Sequence, residues 1–400
     1  MHILVFNGGS SSLRFKVYET SDDDPPGTIA SGKASNVGTH TRAGSVVDWE
    51  VRGTAGTTTG ALPTQRAAAQ AILAILDEHH VPVDAIGHRF VHGGPRLDRT
   101  TRVDDATMEA LQACAPFAPI HNPNALSVIE LCREALPGVP EYAVFDTSFH
   151  AGMPEAAREY AIPRDLAERH GFRRYGFHGL SYAYVSAKTA ELMGAPLGQL
   201  KLILCHLGTG GSSVAAVKAG RSIDTSMGYS PLPGLVMSTR SGDLDPEIVV
   251  ELVRDGASAD EVDRILNDRS GLLGLSGFSS DLLEIIDAAA QGNAGCRLAF
   301  DVYAHRLSAY LGAYTWLLDG ADAIVFTDDV GLRAWQLREA ACGSAGNLGV
   351  VLDRERNRSA AGDRPALVSA PDSRTQVWVV PTDEEIVILR EVVAQLQPTA

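Results

Sequence analysis

LILCHLGTGGSSVAAVKAG, residues 202–220, runs from an apolar segment through a Gly/Thr/Ser loop into a second apolar segment, and ILVFNGGSSSLRFKV, residues 3–17, follows the same plan. A tight Gly/Ser loop between two strands gathers backbone N–H groups and hydroxyls at one point, the arrangement by which proteins hold phosphate oxygens. One such loop alone is equally an ordinary hairpin turn. Two copies about half a chain apart indicate a duplicated architecture, each half presenting a phosphate loop toward a shared cleft.

Outward from these hairpins, helical and strand-like segments alternate. The polar, Gly/Thr-rich region from about 20 to 64, interrupted by SVVDWEV, is expected to add edge strands or a β-meander. An amphipathic helix follows over 64–80, a buried strand over 85–94, a helix over 124–136 and a strand over 141–149. Helices are expected around 154–170, 180–193, 245–255, 258–267, 279–290 and 295–318, with Ser258 and Glu261 spaced as a capping box. Residues 344–365 read as a polar surface loop, before the strand QVWVVP and a helix from about 382. In such an α/β sheet the loops at the carboxyl ends of the strands carry the ligands.

The 400 residues hold 34 Lys and Arg against 49 Asp and Glu, a net charge of −15. An acidic chain does not attract nucleic acid or an anionic membrane surface, and an anionic ligand would need local arginines to overcome that field. The length suffices for two domains with their own cores. Five cysteines, an odd number without CxxC spacing, fit a reducing cytoplasm with most of the thiols in the core. No basic segment precedes HILVFN and no stretch reaches 18 apolar residues, so a soluble, unexported chain is expected.

Charges in apolar or Gly-rich surroundings call for a partner or a ligand. Arg89 in IGHRFVHGG and Arg240 in MSTRSGDLDP could form a pair of guanidinium forks around a phosphoryl group, or each could be a structural ion pair. Asp146, after three apolar residues in AVFDTSFH, suits either a metal or water site or the cap of a following turn. His178 and His206 each precede a glycine or a Gly-rich loop, as site residues or as satisfied structural ones, and their spacing is not that of a zinc site.

The runs NGGSSSLRF (7–15), HRFVHGG (88–94), HNP (121–123), FDTSFH (145–150), RYGFHG (174–179), CHLGTGGS (205–212), DTSMGYSPLPGL (224–235), TRSGDLDP (239–246), SGLLGLSG (270–277) and PTDEE (381–385) lie in one order. In that order the chain resembles the acetate and propionate kinase family over nearly its whole length. The resemblance implies an α/β fold of duplicated RNase H-like domains, the actin-like ATPase arrangement, with a cleft between them. One domain would cover 1–149 plus a C-terminal helix at about 382–400, the other 150–381 on the phosphoryl-donor side. The activity implied is reversible phosphoryl transfer between ATP and acetate or propionate, with Mg²⁺ (or Mn²⁺), in a cytoplasmic homodimer.

Residue by residue, the resemblance implies that Asp146, Arg89, Arg240 and His178 are catalytic. It implies a pocket for the acid's alkyl group at Val91, Ile120, Phe177 and Pro231, with Arg89 also on the substrate, and metal-side residues at Asn7 and Glu384. Phosphate or nucleotide contacts fall on Ser10, Ser11, Ser12, Arg14, His206, Gly208, Thr209, Gly210, Gly211, Asp281, Leu283, Asp329 and Gly331. A carboxylate oxygen then attacks a terminal phosphoryl group in line, and the protein need only position the reactants and neutralise charge.

Departures from the family pattern lie on the nucleoside side. The family's lysine is Arg14, its asparagine is Thr209, an expected arginine is Leu283, and the GIGEN loop reads DVGLR (329–333), preceded by Asp328. Carboxylates there are expected to fill the adenosine space and repel phosphate. This leaves open a donor other than ATP such as pyrophosphate, hydrolysis of acyl phosphates, or a non-catalytic role binding anions or a partner.

Overall fold

Leu13, Phe15 and Val17 alternate with Arg14 and Lys16, and in the computed structural model the strand they form buries the first set and exposes or half-exposes the second. Residues 1–21, 26–38 and 44–397 are described; parts of the polar 20–64 region and the last three positions of the expected C-terminal helix lie outside them. The chain divides into two compact units, Met1–Ala151 with Asp383–Ala400, and Gly152–Thr382.

The first unit holds β1 (His2–Gly8), β2 (Ser12–Glu19), β3 (Gly27–Ser35), β4 (Ser45–Val51), β5 (Thr54–Gly60), β6 (Ala85–Phe90), β7 (Thr101–Arg102) and β8 (Glu141–Phe145), in sheet order β5-β4-β3-β2-β1-β6-β8-β7. The run β1 to β5 is antiparallel, as the alternating 20–64 region predicts, while β6 and β8 add parallel to β1. The helix Gln65–Glu78, capped by Thr64, buries Ile72 and Leu76 in one core with Leu4, Phe6 and Phe15. The C-terminal helix Glu384–Leu396 packs on β6 where Gly87 leaves room: a Cβ there would lie 2.6 Å from Ile388 Cγ2.

The second unit holds β9 (Lys201–Gly208), β10 (Gly211–Lys218), β11 (Arg221–Thr225), β12 (Ala323–Thr327), β13 (Ala366–Leu367) and β14 (Gln376–Val379), in sheet order β11-β10-β9-β12-β14-β13. Its antiparallel β9–β10–β11 and parallel β9–β12–β14 repeat the pattern of β1–β2–β3 and β1–β6–β8. The duplicated RNase H-like topology is therefore present in both units. The helix Ala294–Leu317 supplies Tyr303, Leu307 and Leu311 to a core shared with Ile203 and Val214.

Some elements differ from the sequence reading. The helix expected over 154–170 is two, Glu155–Arg158 and Arg164–His170: the backbone is already extended at Glu159, and Pro163 stands at the N-cap of the second. The 344–365 stretch contains the short helix Arg354–Ser359, started by Asp353, whose carboxylate accepts from Glu355 and Arg356. The Ser258–Glu261 capping box is present on the helix Ala259–Asp268.

Candidate functional site

Parallel pairing sets Phe90 opposite Phe145, so Arg89 lies beside the residue that follows β8. That residue is Asp146, and the two form a bidentate pair: Arg89 Nε donates to Oδ1 at 3.0 Å and Nη2 to Oδ2 at 2.6 Å. Arg89 Nη1 also donates to Asn7 Oδ1 at 3.0 Å and lies 3.2 Å from Glu384 Oε2. Asn7 Nδ2 donates in turn to Glu384 and to Glu385, each at 3.0 Å, and Lys16 pairs with Asp383 and Glu385. Burial works against the Arg89 charge, but Asp146 and Glu384 outweigh it and hold its pKa above the ordinary guanidinium value. Arg89, Asp146, Asn7 and Glu384 thus come together in one oxygen-rich, carboxylate-dominated cluster in the first unit. Glu385 is a member that the sequence reading missed; only the fold shows that it points inward beside Glu384.

Val91 lines a small pocket with Arg89, His88, Gly8, Gly9 and Leu13, whereas Ile120 is 60% exposed and does not line it. Ser10, Ser11 and Arg14 are exposed at the β1–β2 turn, Ser12 half-buried. The turn is closed by Gly9 N–H donating to the Ser12 carbonyl and braced by Gln65, whose amide donates to the carbonyls of Gly9 and Ser12.

In the second unit, the β9–β10 register puts Gly208 opposite Gly211 and His206 opposite Ser213. His178 begins the helix Gly179–Met193 in a left-handed conformation, φ +60°, a strain that non-glycine residues adopt at a cost of about 1–2 kcal/mol. Its ring stacks on His206 with centroids 4.0 Å apart, and its Nδ1 is 2.8 Å from Ser213 Oγ, which also bonds the Tyr182 hydroxyl. A Cβ on Gly211 would sit 3.3 Å from Arg240 Nη1 and 3.5 Å from His178 Nε2, so these two expected catalytic groups converge there. Arg240 donates to the Pro231 carbonyl at 3.2 Å, and burial lowers its pKa. Phe177 is buried beside His178. Tyr182, unforeseen, is legible as the residue one helical turn after His178; Ser213 follows from counting outward across the hairpin.

The departures from the family pattern meet the second loop directly. Asp329 accepts from Thr209 N–H at 2.9 Å and from the Thr209 hydroxyl at 2.8 Å, and Asp328 lies 3.1 Å from His206 Nε2. The two carboxylates that the sequence assigns to adenosine space are bonded to the 208–211 loop and to His206. Gly210 is exposed at its tip. Asp281 caps the helix Leu282–Ala290 through the Leu283 and Glu284 amides, and Leu283 is half-buried against the core. Gly331 is buried, and its carbonyl accepts from Arg338.

Among the described residues, one His/Cys/Glu grouping has ligand atoms within 4.8 Å of one another: His88, Cys132 and Glu141. His88 Nε2 is 2.7 Å from Glu141 Oε2, and burial pushes the Cys132 thiol up. Glu141 pairs with Nε2 of that imidazole, while the ring's Nδ1 is buried without a hydrogen-bond partner. Asn7 and Glu384 instead offer the hard oxygens suited to a magnesium-type cation.

Residues 2–390 match the Acetokinase family model. An acetate kinase of Dictyoglomus thermophilum is 42% identical over 403 residues, covering 98% of each chain. Among solved structures, Porphyromonas gingivalis acetate kinase gives a TM-score of 0.88 at 36% identity, over 99% of this chain and 100% of that one. A Francisella tularensis propionate kinase gives 0.87 at 34% identity, over 98% of both.

Proposed function

The chain belongs to the acetokinase family, and from that premise we infer that it transfers a phosphoryl group reversibly between ATP and a short carboxylic acid such as acetate or propionate, as a cytoplasmic homodimer. The observation that best supports this reading is Arg89, held by Asp146 through two hydrogen bonds and by Asn7 through a third, at the carboxyl ends of β6 and β8. So fixed, the guanidinium can neutralise oxygen charge without reorganising. Asp146 orients Arg89 and aligns the attacking carboxylate. Asn7 and Glu384 would hold a magnesium-type ion, a fit supported by three carboxylates around one guanidinium; when bound, the ion neutralises phosphoryl charge. In the second unit, Arg240 and His178 donate toward phosphoryl oxygens near Gly211, with Ser213 and Tyr182 fixing the imidazole.

Val91, which lines the small pocket beside Arg89, is proposed to receive the alkyl group. Each methylene that fits is worth about 0.8 kcal/mol, and one that clashes costs more. The test is hydroxamate trapping of acyl phosphate with Mg-ATP and acids from formate to hexanoate. Specificity constants highest for two to four carbons are expected; a preference for hexanoate, or no acyl phosphate from any acid, would refute the reading.

A further inference from the structure

The 208–211 loop holds an oxyanion, and that anion is part of the protein. Thr209 gives both its N–H and its hydroxyl to the Asp329 carboxylate, and His206 faces the Asp328 carboxylate at 3.1 Å. These are the donor types a phosphate would use. The placement is built in from several sides. Pairing of Thr327 with His206 delivers Asp328 to the imidazole, and Asp328 takes a left-handed conformation, φ +62°. Gly208 makes space for it, since a Cβ there would lie 2.1 Å from Asp328 Oδ2. Asp329 also accepts from the Val330 N–H, while the fully buried Arg338 anchors the following turn through the carbonyls of Gly331 and Leu332.

We propose that Asp328 and Asp329 set the affinity for the phosphoryl donor by occupying the oxyanion positions of the 208–211 loop, so that a donor binds only by displacing a tethered carboxylate. This rests on the reading that the loop receives the donor's phosphates. With the competitor bonded to the phosphate loop, the penalty falls equally on donors with and without a nucleoside. Acid binding and a bare nucleoside escape it.

The test is calorimetric titration of Mg-ATP, Mg-pyrophosphate, adenosine and acetate into wild type, Asp329→Asn and Asp329→Gly, with melting curves to confirm folding. The asparagine keeps the shape and removes the charge; the glycine removes the side chain. Both variants are expected to bind Mg-ATP and Mg-pyrophosphate at least tenfold more tightly, by the same factor for each, with adenosine and acetate unchanged. Unchanged polyphosphate binding would overturn the proposal, and so would a gain confined to Mg-ATP, which would put the carboxylates in adenosine space. If no polyphosphate binds wild type or either variant, the proposed reaction fails along with it, whereas wild-type binding without a gain sinks this inference alone.

Discussion

Arg89 and Arg240 are paired in the proposed chemistry but not in their surroundings. Arg89 is the cation among Asp146, Glu384 and Glu385, while Arg240 rests on a backbone carbonyl and a methionine sulfur. Their alanine variants should therefore separate. Arg89→Ala removes the two-pronged partner of the buried Asp146 and is expected to cost about 3–5 kcal/mol of stability as well as activity. Arg240→Ala is expected to lower turnover on the order of 10³-fold, as loss of a phosphoryl-side arginine does elsewhere, with a melting temperature near that of wild type. Turnover and thermal melts of both variants check this; a fully active Arg240→Ala would remove that residue from the site. At this scale the sequence marked Arg89 and Asp146 as charges out of place among apolar neighbours. Their mutual pairing was not legible, because it depends on which strands lie side by side.

The helix Glu384–Leu396 meets β6 through Gly87, and Cβ contacts of 2.6 Å to Ile388 and 2.8 Å to Val392 leave no slack. Gly87→Ala is expected to destabilise by about 1–3 kcal/mol, the usual result of overpacking, and Ile388→Ala in the same chain should recover part of that loss. Urea titration measures it; a Gly87→Ala protein as stable as wild type would mean that the helix can shift away. This helix also carries Glu384, so its seating and the first half-site are one matter. A helix with clear apolar periodicity, such as Gln65–Glu78, was legible from spacing alone. Short ones such as Asp328–Arg333 were not, because six residues make less than two turns and tertiary contacts, here Arg338 beneath the loop, decide their form.

The duplication was visible in two hairpins, and the two sheets repeat one pattern of antiparallel and parallel pairing around them. What the hairpins could not convey is that the halves have diverged in charge. The first carries a carboxylate cluster around Arg89, suited to a cation. The second carries a loop already answered by two aspartates brought from β12, a strand more than a hundred residues later. Motif order reached the family, since each run is local; it could not reach the partner of Thr209, which is set by the parallel register of β9 and β12.

The central claim, that this chain moves a phosphoryl group between a carboxylate and a nucleotide, is tested most directly in the acyl-phosphate direction. Purified protein is mixed with acetyl phosphate and Mg-ADP, and ATP is read by luciferase luminescence. Sustained ATP formation that requires both acetyl phosphate and ADP, and that falls about 10³-fold in Arg240→Ala, is the expected result. Loss of acetyl phosphate without ATP, or no reaction from a protein with a normal melting curve, would contradict the account.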